Sequence, residues 1–463
     1  MDAKHSVKKS LTEASAGTVY IKTFGCSVNQ SDSEVMSGLL KEAGFFIVTD
    51  YSSESNSGPA NHSSKQGMGD IDIVIINSCT VKNLAESKFF RELRRWQRKN
   101  VRVVVAGCIP QAEESLLENK LRDISVIGTR QIMHIVSVVN DTMNGKVVHY
   151  ISNDYNERLN LPKIRRNATI EIIPISEGCL SYCTYCKTRF ARGQLMSYPR
   201  EKIIKQFRAA LKDGCREFWI TSQDNGCYGF DIYRKEKYFL PQLLDDLLCI
   251  EGEFRIRLGM SNPDHVDRIK EDLVRIFRHP KMYKFLHIPV QSGNNRILGL
   301  MKRQYTVEEF RKLILLFRKE IPDITISTDI IVGFPEETDE EFSDTLKLLK
   351  ETQFEVVNLS RFWLRSGTET EKMKQLQSKI IKERSINTKL IFDRLLESQN
   401  KDWLGKTCTA LVDEHDRDGS LIARNDYYKQ IRIRNPEDML LGDFVKVRIT
   451  DTAKYYLVGE RVK

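Results

Sequence analysis

Six times between residues 170 and 367 a short β-rich run is followed by helix signals, and this rhythm restricts the fold more than any other feature of the chain. The runs cover residues 170–175, 217–221, 254–260, 285–288, 324–332 and 356–362. Consecutive strand–helix units set their strands parallel and cross over right-handed, so six of them predict a partial (β/α)6 barrel. Chemistry in such a fold belongs to the loops after the strands. The unusual polar sequences fall there: residues 221–225 (TSQDN), 261–263 (SNP), 287–293 (HIPVQSG) and 333–338 (GFPEET). Taken singly, the glycines and prolines of these loops are turn residues, and His287 on an apolar strand reads as a core histidine. No general acid or base is assigned.

The 463 residues exceed one compact core, and about three domains are expected. Before the barrel, residues 19–24, 71–77, 101–106 and 124–127 are β-rich and each precedes a helical pattern, which predicts a parallel α/β domain over 18–150. The first three runs end in Cys26, Cys79 and Cys108. Ligand crevices of open α/β sheets lie at the carboxyl ends of strands, so three thiols placed there by three strands can converge, although each alone reads as a small buried hydrophobe. Residues 51–70 form a Ser/Asn/Gly-rich insert with almost nothing to bury, expected to be a disordered surface loop. The next helix carries Lys88, Arg91, Arg94, Arg95, Arg98 and Lys99 beside Trp96. That pattern suits a solvated face or a strip that contacts phosphates.

Straight after the first barrel run stand Cys179, Cys183 and Cys186, three thiols in eight residues. Thiolates select zinc or iron–sulfur clusters. A closed zinc site wants four protein ligands and no fourth stands nearby, whereas a cubane held by three cysteines leaves one iron open to a substrate. Structural thiols or part of a zinc knuckle are the competing readings. The spacing CxxxCxxC after a strand resembles the cluster loop of the radical S-adenosylmethionine (SAM) enzymes, in which the open iron chelates SAM.

No apolar run approaches the roughly 20 residues of a membrane span, and residues 1–17 lack the apolar core of a secretory signal. Ten scattered cysteines without a signal peptide point to a reducing, cytoplasmic setting where thiols bind metal or stay free. The net charge of +9 is compatible with a nucleic-acid partner without establishing one. After a helical linker over 379–401, the tail reads as short strands at 407–412, 419–424, 429–434, 443–449 and 455–462. They predict a small all-β barrel over 399–463, leaving 165–398 to the radical SAM barrel and linker.

Together these motifs resemble the methylthiotransferases of the radical SAM superfamily. The resemblance rests on both cysteine sets, ARG at 191–193, RLGMSNP at 257–263, HIPVQSG, TDIIVGFPEET and Arg365-Ser366-Gly367-Thr368. NSCTVKN at 77–83, AGCIPQA at 106–112 and LPKIRRN at 161–167 are most similar to the archaeal and eukaryotic branch, which acts on threonylcarbamoyladenosine next to the anticodon of tRNA. The resemblance implies two [4Fe–4S] clusters: a radical cluster on Cys179, Cys183 and Cys186, and an auxiliary one on Cys26, Cys79 and Cys108 that carries the sulfur. One SAM would methylate that sulfur, and a second would give the 5′-deoxyadenosyl radical that takes hydrogen from carbon 2 of the adenine. Tyr185, Ser222, Gln223, Asp224, Gln291 and Gly333 are placed by motif at SAM.

The tail resembles the TRAM domain, with Tyr427, Tyr428, Lys429, Arg432 and Arg434 as candidate RNA contacts. Partners implied are tRNA, specifically lysine tRNA, and an electron-donor protein, with no membrane anchor. The chain departs from the family where Trp363 and Leu364 precede Arg365 and Ser366 follows it, which bears on substrate contacts there. Two other functions stay open: a methylthiotransferase of isopentenyladenosine in tRNA or of a ribosomal-protein aspartate, and an inactive RNA-binding protein with structural zinc.

Overall fold

The computed structural model describes residues 16–48, 71–80, 83–154, 157–233, 235–416, 418–434, 436 and 438–462. The insert at 51–70 lies outside the described residues. The amino-terminal domain is one parallel sheet of six strands: β1 (Thr18–Thr23), β2 (Phe46–Val48), β3 (Ile73–Ser78), β4 (Arg102–Gly107), β5 (Ser125–Gly128) and β6 (His149–Tyr150), in the order β2-β1-β3-β4-β5-β6. Four of these match the sequence expectation. The two it omits, β2 and β6, are edge strands of three and two residues, too short to show alternation. Val, Ile and Ala side chains of β1, β3, β4 and β5 pack into apolar layers on both faces, as a parallel sheet requires.

Helix α1 (Ser27–Glu42) covers one face and α2 (Asn83–Arg98) the other. Within α2, Trp96 is buried against Tyr20, with ring centroids 5.7 Å apart, and donates 2.7 Å to Glu92. Arg91, Arg94, Arg98 and Lys99 remain exposed.

The middle region forms the predicted barrel as two three-stranded parallel halves. Strands Ile170–Pro174, Glu217–Thr221 and Arg255–Leu258 make one, and Phe285–His287, Thr325–Val332 and Val356–Arg361 the other. A bridge between Ile256 and Met282 joins them, and Ser261 N donates 3.0 Å to the carbonyl of His287. Phe218, Ile220, Ile256, Leu286, Ile326 and Ile330 face the surrounding helices in one large core. Alternation therefore turns Trp219, Arg257, His287 and Asp329 to the concave side. The EET end of the GFPEET motif starts a helix: Thr338 and Glu341 form a capping box on Asp339–Thr352.

The tail is a closed barrel of five strands, Thr407–His415, Leu421–Asn425, Gln430–Arg434, Phe444–Thr452 and Leu457–Arg461. It seals the amino ends of the large barrel's strands, opposite the cysteine loop. Lys284 N donates 2.7 Å to Asp426 O, Thr325 Oγ1 donates 2.6 Å to Tyr427 O, and Arg255 pairs with Asp426 at 2.8 Å. Tyr428 stacks 4.8 Å from Tyr283 and 4.9 Å from Phe285, and its hydroxyl donates 3.0 Å to the buried Glu217.

The residues expected from sequence to contact RNA have partners within the protein. Tyr427, Tyr428 and Lys429 sit in the joint between barrels, Arg432 pairs with Asp418 and Asp416, and Arg434 pairs with Asp451 at 3.2 Å. Lys429 is held below its ordinary pKa by burial. The large barrel is thus not complete without the tail. Tyr428→Ala is expected to destabilise the protein by about 3 kcal/mol, the range for truncating a buried aromatic. Tyr428→Phe, which removes only the hydroxyl, should cost about 1 kcal/mol. Thermal and denaturant unfolding of the two variants check both figures.

Candidate active site between two thiol loops

Cys26, Cys79 and Cys108 follow the carboxyl ends of β1, β3 and β4, three neighbours in the sheet. The sheet order reverses between β1 and β3, and ligands of such sheets bind at that switch point. Gly25 makes the turn into Cys26 with φ +121°, and a Cβ there would stand 2.7 Å from Cys79 Cβ, so only glycine lets the two thiol loops approach. The sulfurs of Cys26 and Cys108 lie 3.5 and 3.7 Å from one atom, Asn29 Oδ1. Burial pushes the Cys108 thiol up, against the charge of Arg192. All ten cysteines are free thiols. Three soft donors on one crevice, none tied in a disulfide, suit a three-thiolate cluster.

Cys179, Cys183 and Cys186 lie on the loop after the first barrel strand, and each sulfur receives an N–H. Ser181 N donates 3.3 Å to Cys179 Sγ, Arg303 Nη1 donates 3.2 Å to Cys183 Sγ, and the backbone N–H groups of Thr188 and Arg189 point at Cys186. Burial pushes Cys179 up to about 12 and raises Cys186. Donors aimed at all three sulfurs favour thiolates bound to a cation, so this set also fits a cubane.

The two loops are joined directly. Cys108 begins the helix Cys108–Ala112, which packs on Thr188–Arg192, the helix just past Cys186. At that joint Arg192 is 1% exposed. It reaches Asn29 at 3.1 Å and Asp32 at 2.7 Å in the amino-terminal domain and Glu177 at 2.9 Å in the barrel. Arg158 contacts the same two carboxylates, Asp32 and Glu177, at 2.6 Å each. Burial opposes the charge on Arg192, but Asp32, Cys108 and Glu177 outweigh it and hold the group well above its ordinary pKa. Ser27, next to Cys26, touches Thr221 at the mouth of the barrel, Oγ to Oγ1 2.7 Å. The segment 161–166 straps the domains along α1, where Gly38 lies so close that a Cβ would meet the Pro162 backbone at 2.3 Å.

Of the residues expected at SAM, Ser222 is buried and its Oγ accepts 3.1 Å from Asp224 N, and Gln223 Oε1 accepts 2.7 Å from Gly178 N at the start of the cysteine loop. Gln291 adopts φ +69°, the left-handed region unfavourable for its side chain. Tyr185 packs edge-on to Phe334 with centroids 6.2 Å apart. Two of the expected residues also have roles within the fold. Asp224 is fully buried and spent on the protein: Oδ1 accepts from Gly226 N and Asn262 N at 3.1 Å, and Oδ2 accepts from Asn262 Nδ2 at 2.5 Å and His265 Nδ1 at 2.7 Å. Gly333 lacks a side chain for the linker helix, since a Cβ would meet Ile381 Cγ1 at 2.6 Å.

Burial works against ionisation of Asp224, but His265 and Asn262 win and hold it below its usual range; His265 is raised in turn by Asp224. Asp224, Cys227 and His265 cluster closely enough for a cation. Yet the four bonds to Asp224 use its lone pairs, so they form a brace behind the cysteine loop. Arg303 completes it, donating 2.5 Å to Asn262 Oδ1. Sequence reasoning missed Arg303, Asn29 and Asp32. The i, i+3 pair of polar residues one turn after Cys26 was the available signal for the last two; nothing local marks Arg303.

A parallel partial barrel with three donor-supported thiols on its first loop defines a radical SAM enzyme. Residues 173–349 match the Radical SAM superfamily, residues 18–128 the Uncharacterized protein family UPF0004, and residues 403–462 the TRAM domain. The chain is 38% identical to the human threonylcarbamoyladenosine tRNA methylthiotransferase over 455 residues, 96% of this chain and 74% of the human protein. It is 38% identical to the probable threonylcarbamoyladenosine tRNA methylthiotransferase of Pyrococcus horikoshii, over 96% of this chain and 99% of that one. A solved structure of the radical SAM methyltransferase TsrM from Kitasatospora setae, with cobalamin and a [4Fe-4S] cluster bound, shares the fold at TM-score 0.53 and 12% identity, covering 76% of each chain. The chain belongs to the threonylcarbamoyladenosine tRNA methylthiotransferase family.

Proposed function

We propose that this protein transfers a methylthio group to carbon 2 of the adenine of threonylcarbamoyladenosine in tRNA. The observation that carries the reading is the joint at Arg192, which ties the element after Cys186 to the element after Cys26 through Asp32 and Glu177, in a chain 38% identical over 96% of its length to enzymes of that name. Cys179, Cys183 and Cys186 would hold the radical cluster, and Cys26, Cys79 and Cys108 the auxiliary cluster. When bound, the two clusters and SAM supply the radical and the sulfur, chemistry that side chains cannot provide at an unactivated carbon.

The chain's own residues do the rest. Backbone N–H groups and Arg303 direct hydrogen bonds at the loop sulfurs, which would support them as thiolates once a cluster is bound. Arg158 and Arg192 tie the amino-terminal domain to the barrel through Asp32 and Glu177, and Ser222, Gln223 and Gln291 would contact SAM. The substrate is a tRNA; lysine tRNA and a one-electron donor protein complete the reading, in the cytoplasm. Among the described residues no helix is long and apolar enough to cross a membrane.

Mass analysis of tRNA nucleosides from cells lacking the protein tests the substrate. The 2-methylthio derivative of threonylcarbamoyladenosine should vanish while threonylcarbamoyladenosine itself accumulates. Persistence of that derivative, or loss of the isopentenyladenosine one instead, would sink the assignment.

A further inference from the structure

The large barrel stays open on one side, because its first strand (Ile170–Pro174) and its last (Val356–Arg361) are both edges among the described residues. The cysteine loop spans that opening at the carboxyl end. Thr184 O accepts 3.4 Å from Thr370 N, and Lys187, itself buried, donates 2.7 Å to Ser366 O. The same ammonium pairs with Glu113 of the amino-terminal domain at 3.3 Å and stands 4.8 Å over the ring of Phe190. The segment after the last strand, the helix after Cys186 and the segment after Cys108 therefore meet around one atom.

Three residues before Ser366, Trp363 is 54% exposed, and Phe190 on the other side of Lys187 is 49% exposed. The strand ladder runs on to Phe362, whose N–H donates 2.9 Å to Val332 O and whose ring is buried against Phe334. Alternation then sends Arg361 and Trp363 together to the opposite side, where both are exposed. The Trp363 indole packs on no other ring and its N–H has no acceptor among the described residues, and Arg361 has no ion pair among them. Lys372 and Lys374 are exposed in the same segment, whereas its two acids are engaged: Glu369 pairs with Lys302 at 2.6 Å, and Glu371 accepts 2.9 Å from Gly367 N. An open aromatic face beside cations whose charge is unspent suits single-stranded RNA, which offers both bases and phosphates.

Enzymes that do chemistry on a base take it out of its stack, and each neighbouring base then lacks one stacking face. We propose that the Trp363 indole takes the vacated place: it stacks on a base adjoining the modified adenosine, with Arg361 against a nearby phosphate, and so holds the tRNA loop at the open side of the barrel mouth. Trp363 is then a positioning residue, touching the neighbouring nucleotide and not the reacting atoms. The inference rests on the tRNA reading given above.

The full-length enzyme with both clusters reconstituted is titrated without oxygen into a fluorescently labelled anticodon stem-loop RNA carrying threonylcarbamoyladenosine. Two further copies of that RNA are abasic on the 5′ or the 3′ side of the modified adenosine, and wild type, Trp363→Ala and Trp363→Phe are compared by anisotropy. Trp363→Ala should bind the intact RNA about ten-fold more weakly, or worse, as for the loss of a base–aromatic stack, and Trp363→Phe should recover most of that affinity. One of the abasic RNAs should cost wild type a similar factor and cost Trp363→Ala almost nothing, because the two deletions remove the same contact. Equal affinity of wild type and Trp363→Ala for the intact RNA overturns the proposal. So does an equal loss from the abasic sites in both proteins, which would make the indole a prop of its own loop. Iron content and thermal unfolding of Trp363→Ala should match wild type, and a fall in either speaks for the same structural role and against the platform. A wild-type enzyme that binds the stem-loop no better than an unrelated hairpin would instead refute the tRNA reading itself, an outcome distinct from the others.

Discussion

The Cys79→Ala enzyme, reconstituted without oxygen, is expected to hold about four irons instead of about eight, since each three-thiolate site holds one cubane. It should still cleave SAM and form no methylthiolated tRNA. Cys79 is the sharpest choice because it follows the central strand β3, is 4% exposed, and stands against the Gly25 turn that leads into Cys26. Little else changes on removing its sulfur, whereas the radical loop is built from a different part of the chain with its own N–H donors. Iron and sulfide analysis beside single-turnover product assays checks the result, with the exposed Cys249 replaced by Ser as the control. Methylthio product from Cys79→Ala, or a cluster lost from Cys249→Ser, would show the ligand set to be wrong.

Arg192→Met should have the second large effect, on stability and on coupling together. Removing one partner from a buried ionic network costs about 3–5 kcal/mol. The lower end is expected here, because Arg158 still reaches both Asp32 and Glu177. With the joint loosened, the two thiol loops no longer share a fixed gap, and a misplacement of about 1 Å lowers a reaction that depends on positioning by roughly 100-fold. SAM cleavage should continue, so 5′-deoxyadenosine would accumulate without methylthio product. Arg192→Lys keeps the charge but not the fork that spans Asp32 and Glu177, and should fall between. Denaturant unfolding and the ratio of the two products read both effects; wild-type coupling in Arg192→Met would remove Arg192 from this role.

Much of the fold was legible because its signals are local. Alternating β-rich runs and helical patterns marked both α/β regions, and glycines and thiols after the runs marked the loops that carry chemistry. What could not be read was set by contacts distant in sequence. Tyr427 and Tyr428 look like RNA-stacking residues in a basic strand, yet Tyr428 packs against Tyr283 and Phe285 and bonds Glu217 of the large barrel, while the Tyr427 ring packs on Trp403. Asp224 stands in a polar loop, and its bonds to Asn262 and His265 come from a loop about forty residues further on. At the departure from the family pattern, Trp363 is 54% exposed while the neighbouring Phe362 is buried against Phe334 at 5.4 Å.

Residue order alone determined the number of parallel strands in the barrel, the position of six cysteines at strand ends and the closed β tail, since period, spacing and turn chemistry are properties of neighbouring residues. Only the tertiary structure decided that the elements carrying the two thiol sets pack together. That outcome depends on Arg192 meeting Asn29 and Asp32 from more than a hundred residues away. The Coulomb energy that makes such a meeting favourable exists only once burial has removed the water that would otherwise screen it.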